Sequence, residues 1–419
     1  MATAINMHDA DVVIVGGGPA GLSTALFLAH ARPALTERLV VLEKKSYPRD
    51  KYCAGAVAAR ADELLASVGV RVDVPSVEID GLSVRTLEGT GSNHGQRIGR
   101  VVRRIEFDHA LAEAVRKKGI RIVEDARATA LAVRGDGVDV TTPKGVFRAR
   151  VVVGADGVGS FVRRAVGLTK DGLLAQVVEV DTESVPGDLP RNMLHFDTED
   201  RRFPGYAWDF PTVVNGEPKM CRGVYHLRLD DRAVDVEAML AERLAALGLD
   251  IRRYKLKRYA ERAYEPRRQR STPRVLLVGE AAGIDGLTGE GIAQAIEYAA
   301  LAGPYLAGKL ASGDVAFSDW REHLSGTRLG FDLRIRRRLL SYYTGPYRSW
   351  FERHLLTTPE FIACSMERFA GRRMKKGRLV KPLLRAAWAL VTSERRSLYP
   401  ERVESHRPTS REFPRRALR

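Results

Sequence analysis

Three cysteines in 419 residues, Cys53, Cys221 and Cys364, are too few and too scattered for a disulfide framework or a metal cluster. No metal site is expected, and a reducing cytoplasm is the simplest compartment. No run of about 18 uncharged apolar residues occurs, which excludes an α-helical membrane span. Only about ten residues precede the first apolar strand, so no signal peptide is expected. Zinc-finger spacing and an aromatic-glycine RNA signature are both missing, and no nucleic-acid partner is expected. Acidic residues are scarce at one end: residues 321–419 hold 24 Lys and Arg against 9 Asp and Glu, nearly the whole net charge of +16. A patch of that kind suits a membrane surface or an acidic carrier protein, and equally a solvated helical face.

What the chain does have is glycine in ordered places. Asp11 to Val15 reads as a buried parallel strand, and Gly16, Gly18 and Gly21 after it fit the G-x-G-x-x-G turn of a dinucleotide-binding βαβ unit. Gly16 permits the tight turn, Gly18 the approach of a pyrophosphate, and Gly21 the packing of helix on strand. Pro19 and Ala20 open a helix to Ala31, whose N-terminus points free N–H groups at the phosphates. A second strand, Leu39 to Leu42, ends in Glu43, 22 positions after Gly21 and suited to a ribose hydroxyl, with Lys44 beside it.

Further on, a helix is expected from Ala58 to Val68 and another from the Arg104-Ile105-Glu106-Phe107-Asp108 element to Lys117. Strands follow at Ile120 to Val123, Ala128 to Val133 and Val138 to Thr142. Val151 to Val153 is a buried strand running into Gly154-Ala155-Asp156-Gly157, with Ser160 able to cap the next helix. Asp156 and Gly157 are either a simple turn or part of a site. Arg274 to Val278 is a third strand before glycines, leading through Gly279, Glu280, Gly283, Gly289 and Gly291 to a long helix from Ile292 through Tyr305. That is a second anion or flavin cradle.

Together these motifs resemble the glycine-fingerprint FAD oxidoreductases of the para-hydroxybenzoate hydroxylase fold, over roughly the first 310 residues. The resemblance implies an α/β fold: a Rossmann-like FAD domain and an antiparallel β-sheet substrate domain. It assigns 1–170 and 271–320 to the FAD domain and 171–270 to the substrate sheet, while charge and apolar periodicity make 321–419 a basic helical C-terminal region with a disordered polar tail beyond Tyr399. It implies that Gly16, Gly18, Gly21 and Glu43 hold ADP, that Arg104 helps, and that Asp156 lies near the pyrophosphate and the nicotinamide path. Gly279 to Ile292 would hold the ribityl chain and pyrimidine end of the flavin, with Glu280 where the family usually has Asp.

Tyr206, Trp208 and Phe210 share one face if their stretch is a strand, forming either an aromatic wall for a greasy substrate or part of the sheet core. Pro204 to Pro211 is similar to the P-x-x-Y-x-W-x-F-P motif of the geranylgeranyl reductase branch, one residue short between Pro204 and Tyr206. Lys51 to Ala56 resembles that branch's proline-cysteine-glycine loop, with Tyr52 for proline, Ala54 and Ala56 for glycines, and Cys53 retained.

The implied activity is reduction of a C=C bond in a hydrophobic, isoprenoid or polyene-like substrate. NAD(P)H is the expected transient donor, since no second complete Rossmann unit is visible. Cys53, Tyr206 and Trp208 are the candidate catalytic residues, Cys53 being either a proton donor or positioning group or a buried structural thiol. The alternatives are an NAD(P)H-dependent FAD hydroxylase or epoxidase and a non-catalytic flavin-binding docking protein. The W-x-W-x-I-P signature of halogenases is absent, Tyr206 and Phe210 standing in its place. Near the end, Leu383, Leu384, Ala387, Trp388 and Val391 form an apolar helical stripe behind basic residues. It either lies on an anionic bilayer, making the protein peripheral at the inner face of the membrane, or caps the substrate domain.

Overall fold

A computed structural model describes residues 7–372 apart from 169–171, 230 and 269, together with residues 377, 380, 383 and 384. The first of two eight-stranded sheets has a parallel core in the order Val275–Leu277, Gly145–Gly154, Met7–Val15, Leu39–Leu42 and Arg121–Val123. Val12 to Val15 are apolar without alternation because the strand is covered on both faces. Ala130–Val133 pairs antiparallel with Val138–Thr142, which pairs antiparallel with Gly145–Gly154, whereas Arg121–Val123, the strand expected at Ile120 to Val123, belongs to the parallel core. The opening helix Pro19–Ala31 packs against Ile292–Ser312, so closely that a Cβ on Gly303 would stand 2.6 Å from Phe27 Cβ. That second helix passes its expected end at Tyr305, because buried Leu306 and Leu310 continue its inward face to Gly313.

The second sheet runs Lys257–Arg262, Leu174–Thr182, Glu217–Leu227, Gly205–Val214, Met193–Asp197, Ser76–Thr86, Gly89–Val102 and Ala56–Ala58. Residues 171–270 supply its first five strands, and the other three come from residues 56–102, within the interval assigned to the FAD domain. The hairpin at 76–102 escapes sequence reading because its polar, glycine-rich middle shows no clear alternation of apolar and polar residues. One face of this sheet carries Val177, Tyr206, Trp208, Phe210 and Tyr225, as the period of two requires. Val178, Val180 and Val224 on the opposite face pack against the helix Val236–Ala246.

The helices Arg328–Leu339 and Pro359–Ala370 close over the aromatic face, so residues 331–356 are packed onto the substrate sheet. The apolar stripe from Leu383 to Val391 lies outside the described residues except for Leu383 and Leu384. Among the described residues no helix is long and apolar enough to cross a membrane.

Candidate active site

Two cavities meet between the sheets. The first, about 370 Å³, begins at the opening turn and is lined by Gly16, Gly18, Pro19, Ala20, Glu43, Lys44 and Arg104. It continues past Asp156, Gly157 and Glu280 to Gly289, Gly291 and Ile292, so three motifs distant in sequence share one wall. Neither helix mouth here, at Gly18 or at Gly291, is closed by a side-chain cap. Free first-turn N–H groups and a positive dipole end therefore face the cavity from both helices.

The glycines divide by role. A Cβ on Gly16, at φ +111°, would run into the Ala155 carbonyl oxygen, whereas one on Gly18 would meet only Arg104 Nη2, at 3.8 Å. Gly18 thus borders open space of the kind a phosphate fills. Gly21 and Gly279 do not line the cavity. A Cβ on Gly21 would strike Gly16 O, and one on Gly279 would stand 2.6 Å from Ala20 Cβ, so both serve by letting backbones approach.

Glu43 is buried and accepts N–H bonds from Gly17 at 2.9 Å and Lys45 at 3.1 Å, with Arg49 Nη2 at 3.2 Å. A carboxylate has about four acceptor positions, which leaves one for a ribose hydroxyl. Arg49 also reaches Asp108 at 3.0 Å, and Asp108 holds Arg104 through two 2.7 Å bonds. Arg49 has no sequence signal beyond its place shortly after the ribose acid. Asp156 lines the cavity while its carboxylate accepts Ser160 Oγ at 2.5 Å and the N–H groups of Phe161 and Val162 at 2.6 and 3.0 Å. It fixes the start of a short helix, and burial raises its pKa against the pull of those bonds. Glu280 faces the same space with Lys51 Nζ 3.2 Å away.

The second cavity, about 390 Å³, is walled by Phe196, Tyr206, Trp208 and Phe210 and roofed by Leu339, Tyr343 and Phe369 of the C-terminal helices. Cys53, Tyr259, Glu261, Gly289, Gly291 and Ile292 line both cavities and form the passage between them. The aromatic stretch is therefore core and wall at once: Tyr206, Trp208 and Phe210 are all buried, and all border the cavity. Tyr206 stacks on Tyr225 with centroids 4.9 Å apart and donates its hydroxyl to Thr288 O at 2.6 Å. Tyr343 donates to Leu287 O at 2.8 Å, so aromatic residues from two regions hold the third glycine-rich loop. Trp208 Nε1 has no hydrogen-bond partner among the described residues. Removing one hydroxyl by Tyr206→Phe leaves the Thr288 carbonyl short of a donor, and thermal melting is expected to show a loss of about 1–3 kcal/mol.

Cys53 is held at the passage by its N–H bond to Glu179 Oε1 at 3.2 Å. Glu179, fully buried, also accepts Tyr259 Oη at 3.0 Å and Lys257 Nζ at 3.4 Å. Burial pushes the Cys53 thiol up, with Arg104 opposing, and pushes Glu179 up against the pull of Lys257. Glu179, Lys257 and Glu261 carry no motif in the sequence; strand pairing alone brings them here. Among the described residues no group of three or more His, Cys, Asp or Glu is placed to hold a metal ion.

The FAD binding domain family matches residues 9–198. An uncharacterized protein of Methanosarcina barkeri is 26% identical over 314 residues, 74% of this chain and 77% of that protein. Digeranylgeranylglycerophospholipid reductase 1 of Methanopyrus kandleri is 34% identical over 221 residues, 49% of this chain. The matched region spans only about half of that reductase, 55%. Among solved structures, a geranylgeranyl bacteriochlorophyll reductase-like protein of Thermoplasma acidophilum superposes with TM-score 0.66 at 19% identity, covering 94% of this chain and 100% of that one. The p-nitrophenol 4-monooxygenase of Pseudomonas putida gives 0.65 at 19%, covering 88% and 100%. Residues 9–198 match the FAD binding domain family, and the described fold is of the class these structural neighbours share. Within that class its relatives include geranylgeranyl reductase-like proteins and monooxygenases.

Proposed function

We propose that the protein reduces an isolated C=C bond of a hydrophobic, isoprenoid or polyene-like substrate. The observation that carries this reading is the apolar, aromatic-walled cavity opening through Cys53 and Glu261 onto the FAD cavity. FAD, once reduced by NADPH or NADH, supplies a hydride. The chain's residues do the rest. The uncapped helix mouths at Gly18 and Gly291 and the carboxylate of Glu43 bind the cofactor. Phe196, Tyr206, Trp208 and Phe210 hold the chain of the substrate and exclude water. Cys53, a neutral thiol, sets the edge of the passage at which the reacting carbons lie. The Lys and Arg surplus beyond residue 372 suits an anionic membrane surface, where a greasy substrate resides.

Cys53→Ala is expected to keep FAD and to lose turnover by up to about 100-fold, the scale of a misplaced reacting pair. Unchanged turnover removes Cys53 from the site. The reading as a whole is tested by reducing the flavoprotein anaerobically with NADPH or NADH and then admitting either geranylgeraniol or oxygen with an aromatic acceptor. Oxidation of the flavin by the polyprenol supports the reductase. Oxygen-dependent hydroxylation of the acceptor supports a monooxygenase instead.

A further inference from the structure

Reduction of a C=C bond needs a proton as well as a hydride, and one side chain at the passage stands apart from the other acids. Glu261 lies on the edge strand Lys257–Arg262, on the same face as Lys257 and Tyr259. Those two are engaged with Glu179. Glu43, Asp156, Glu280 and Glu290, also lining the cavities, each hold a cation or an N–H group. Glu261 Oε2 is sealed from solvent and has no hydrogen-bond partner among the described residues. Its position is fixed by its neighbours: the point where Gly289 would carry a Cβ is 2.9 Å from Glu261 Oε2 and 3.2 Å from Tyr206 Oη. The carboxyl therefore sits where the FAD cavity, the aromatic wall and the third glycine-rich loop converge.

We propose that Glu261 is the acid that protonates the substrate carbon adjacent to the one receiving hydride, a role that rests on the reductase reading above. Burial pushes its pKa well above the usual carboxyl range, and Glu280, Asp285 and Glu179 push the same way, with Lys51 opposing. The other titratable groups around it, Cys53, Tyr206, Tyr225 and Tyr259, are themselves kept neutral by burial. Burial and the neighbouring carboxylates thus favour the protonated, proton-donating form of Glu261. One C–H bond forms with the hydride that reduced FAD supplies. The π pair of the C=C bond takes the proton of Glu261 and forms the second C–H bond, the O–H bond breaks, and a carboxylate remains. A proton from water entering the FAD cavity restores the acid before the next turnover.

The test compares the wild-type holoenzyme with Glu261→Gln, which keeps shape and carries no acidic proton, and Glu261→Asp, which keeps the acid. Infrared difference spectra at neutral pH should show the carbonyl stretch of a protonated carboxylic acid in the wild type, sensitive to D2O and lost in Glu261→Gln. Stability supplies a second readout. An acid whose folded pKa is raised costs stability as pH rises above its unfolded value, so Glu261→Gln should gain on the wild type above about pH 4.5 and not below it. In anaerobic single turnovers with geranylgeraniol, Glu261→Gln should retain FAD and its reduction by NADPH, but oxidise about 100- to 10,000-fold more slowly. Glu261→Asp should recover part of that rate. An ionised Glu261, or an unchanged rate and solvent isotope effect in Glu261→Gln, overturns the assignment and leaves the reductase reading intact. A wild type that is reduced by NADPH yet never reduces geranylgeraniol overturns that reading and the proton-donor role with it.

Discussion

Gly18→Leu should purify colourless and folded. Gly18 has extended backbone, φ −89° and ψ −176°, which any residue adopts, and a Cβ there meets only the tip of Arg104 at 3.8 Å. The leucine grows into the cavity across the uncapped mouth of the opening helix, where the proposed site puts the pyrophosphate. Overfilling such a site costs about 3 kcal/mol, which is roughly a hundredfold in affinity. Gly16→Leu is a poorer probe, because φ +111° and the Ala155 carbonyl make it damage the fold as well. The readout is flavin absorbance per protein beside a thermal melt. Full flavin occupancy in folded Gly18→Leu would contradict the placement of the phosphates.

Arg336→Ala is expected to have the largest effect on stability. Arg336 belongs to the run Arg336-Arg337-Arg338 within the basic region 321–419, which by sequence alone suits a docking surface or a solvated helical face equally. Its guanidinium instead reaches Asp285 and, at 3.0 Å each, Thr288 Oγ1 and Glu290 Oε2. The Asp285 side chain is 0% exposed and that of Glu290 5%. Removing the cation leaves the buried Asp285 carboxylate without its ion-pair partner and Glu290 with Arg60 alone, a loss of about 3–5 kcal/mol. Because these acids flank Gly289, the roof over the apolar cavity and the flavin end of the site should loosen together. Limited proteolysis should open first within Arg328–Leu339. Arg337→Ala is the control: its partner Glu265 is 3.1 Å away, its side chain is 34% exposed, and its loss costs less than about 1 kcal/mol. Equal melting of both variants would dismiss the clamp.

These two residues also mark what a sequence discloses. The cofactor cradle is legible because its signal is local: a short apolar strand, glycines at fixed spacing, and an acid at a fixed distance. Tyr206, Trp208 and Phe210 are legible as one face because a strand alternates strictly. Arg336 is misleading, since nothing near it in the chain tells of Asp285, 51 residues away. Glu261 reads as one polar residue in an alternating strand, and only the packing of sheet against glycine-rich loop seals its Oε2 from solvent. Asp156 shows a third case, a motif residue whose carboxylate works chiefly on its own backbone.

The central claim is that hydride leaves the FAD cavity for a C=C bond held against the aromatic wall. The most direct measurement mixes anaerobic, NADPH-reduced holoenzyme with geranylgeraniol in D2O and analyses the product by mass spectrometry. The account predicts flavin oxidation matched by a polyprenol with one C=C bond saturated and solvent deuterium at the protonated carbon. Oxidation that waits for oxygen, with the polyprenol recovered unchanged, would contradict it.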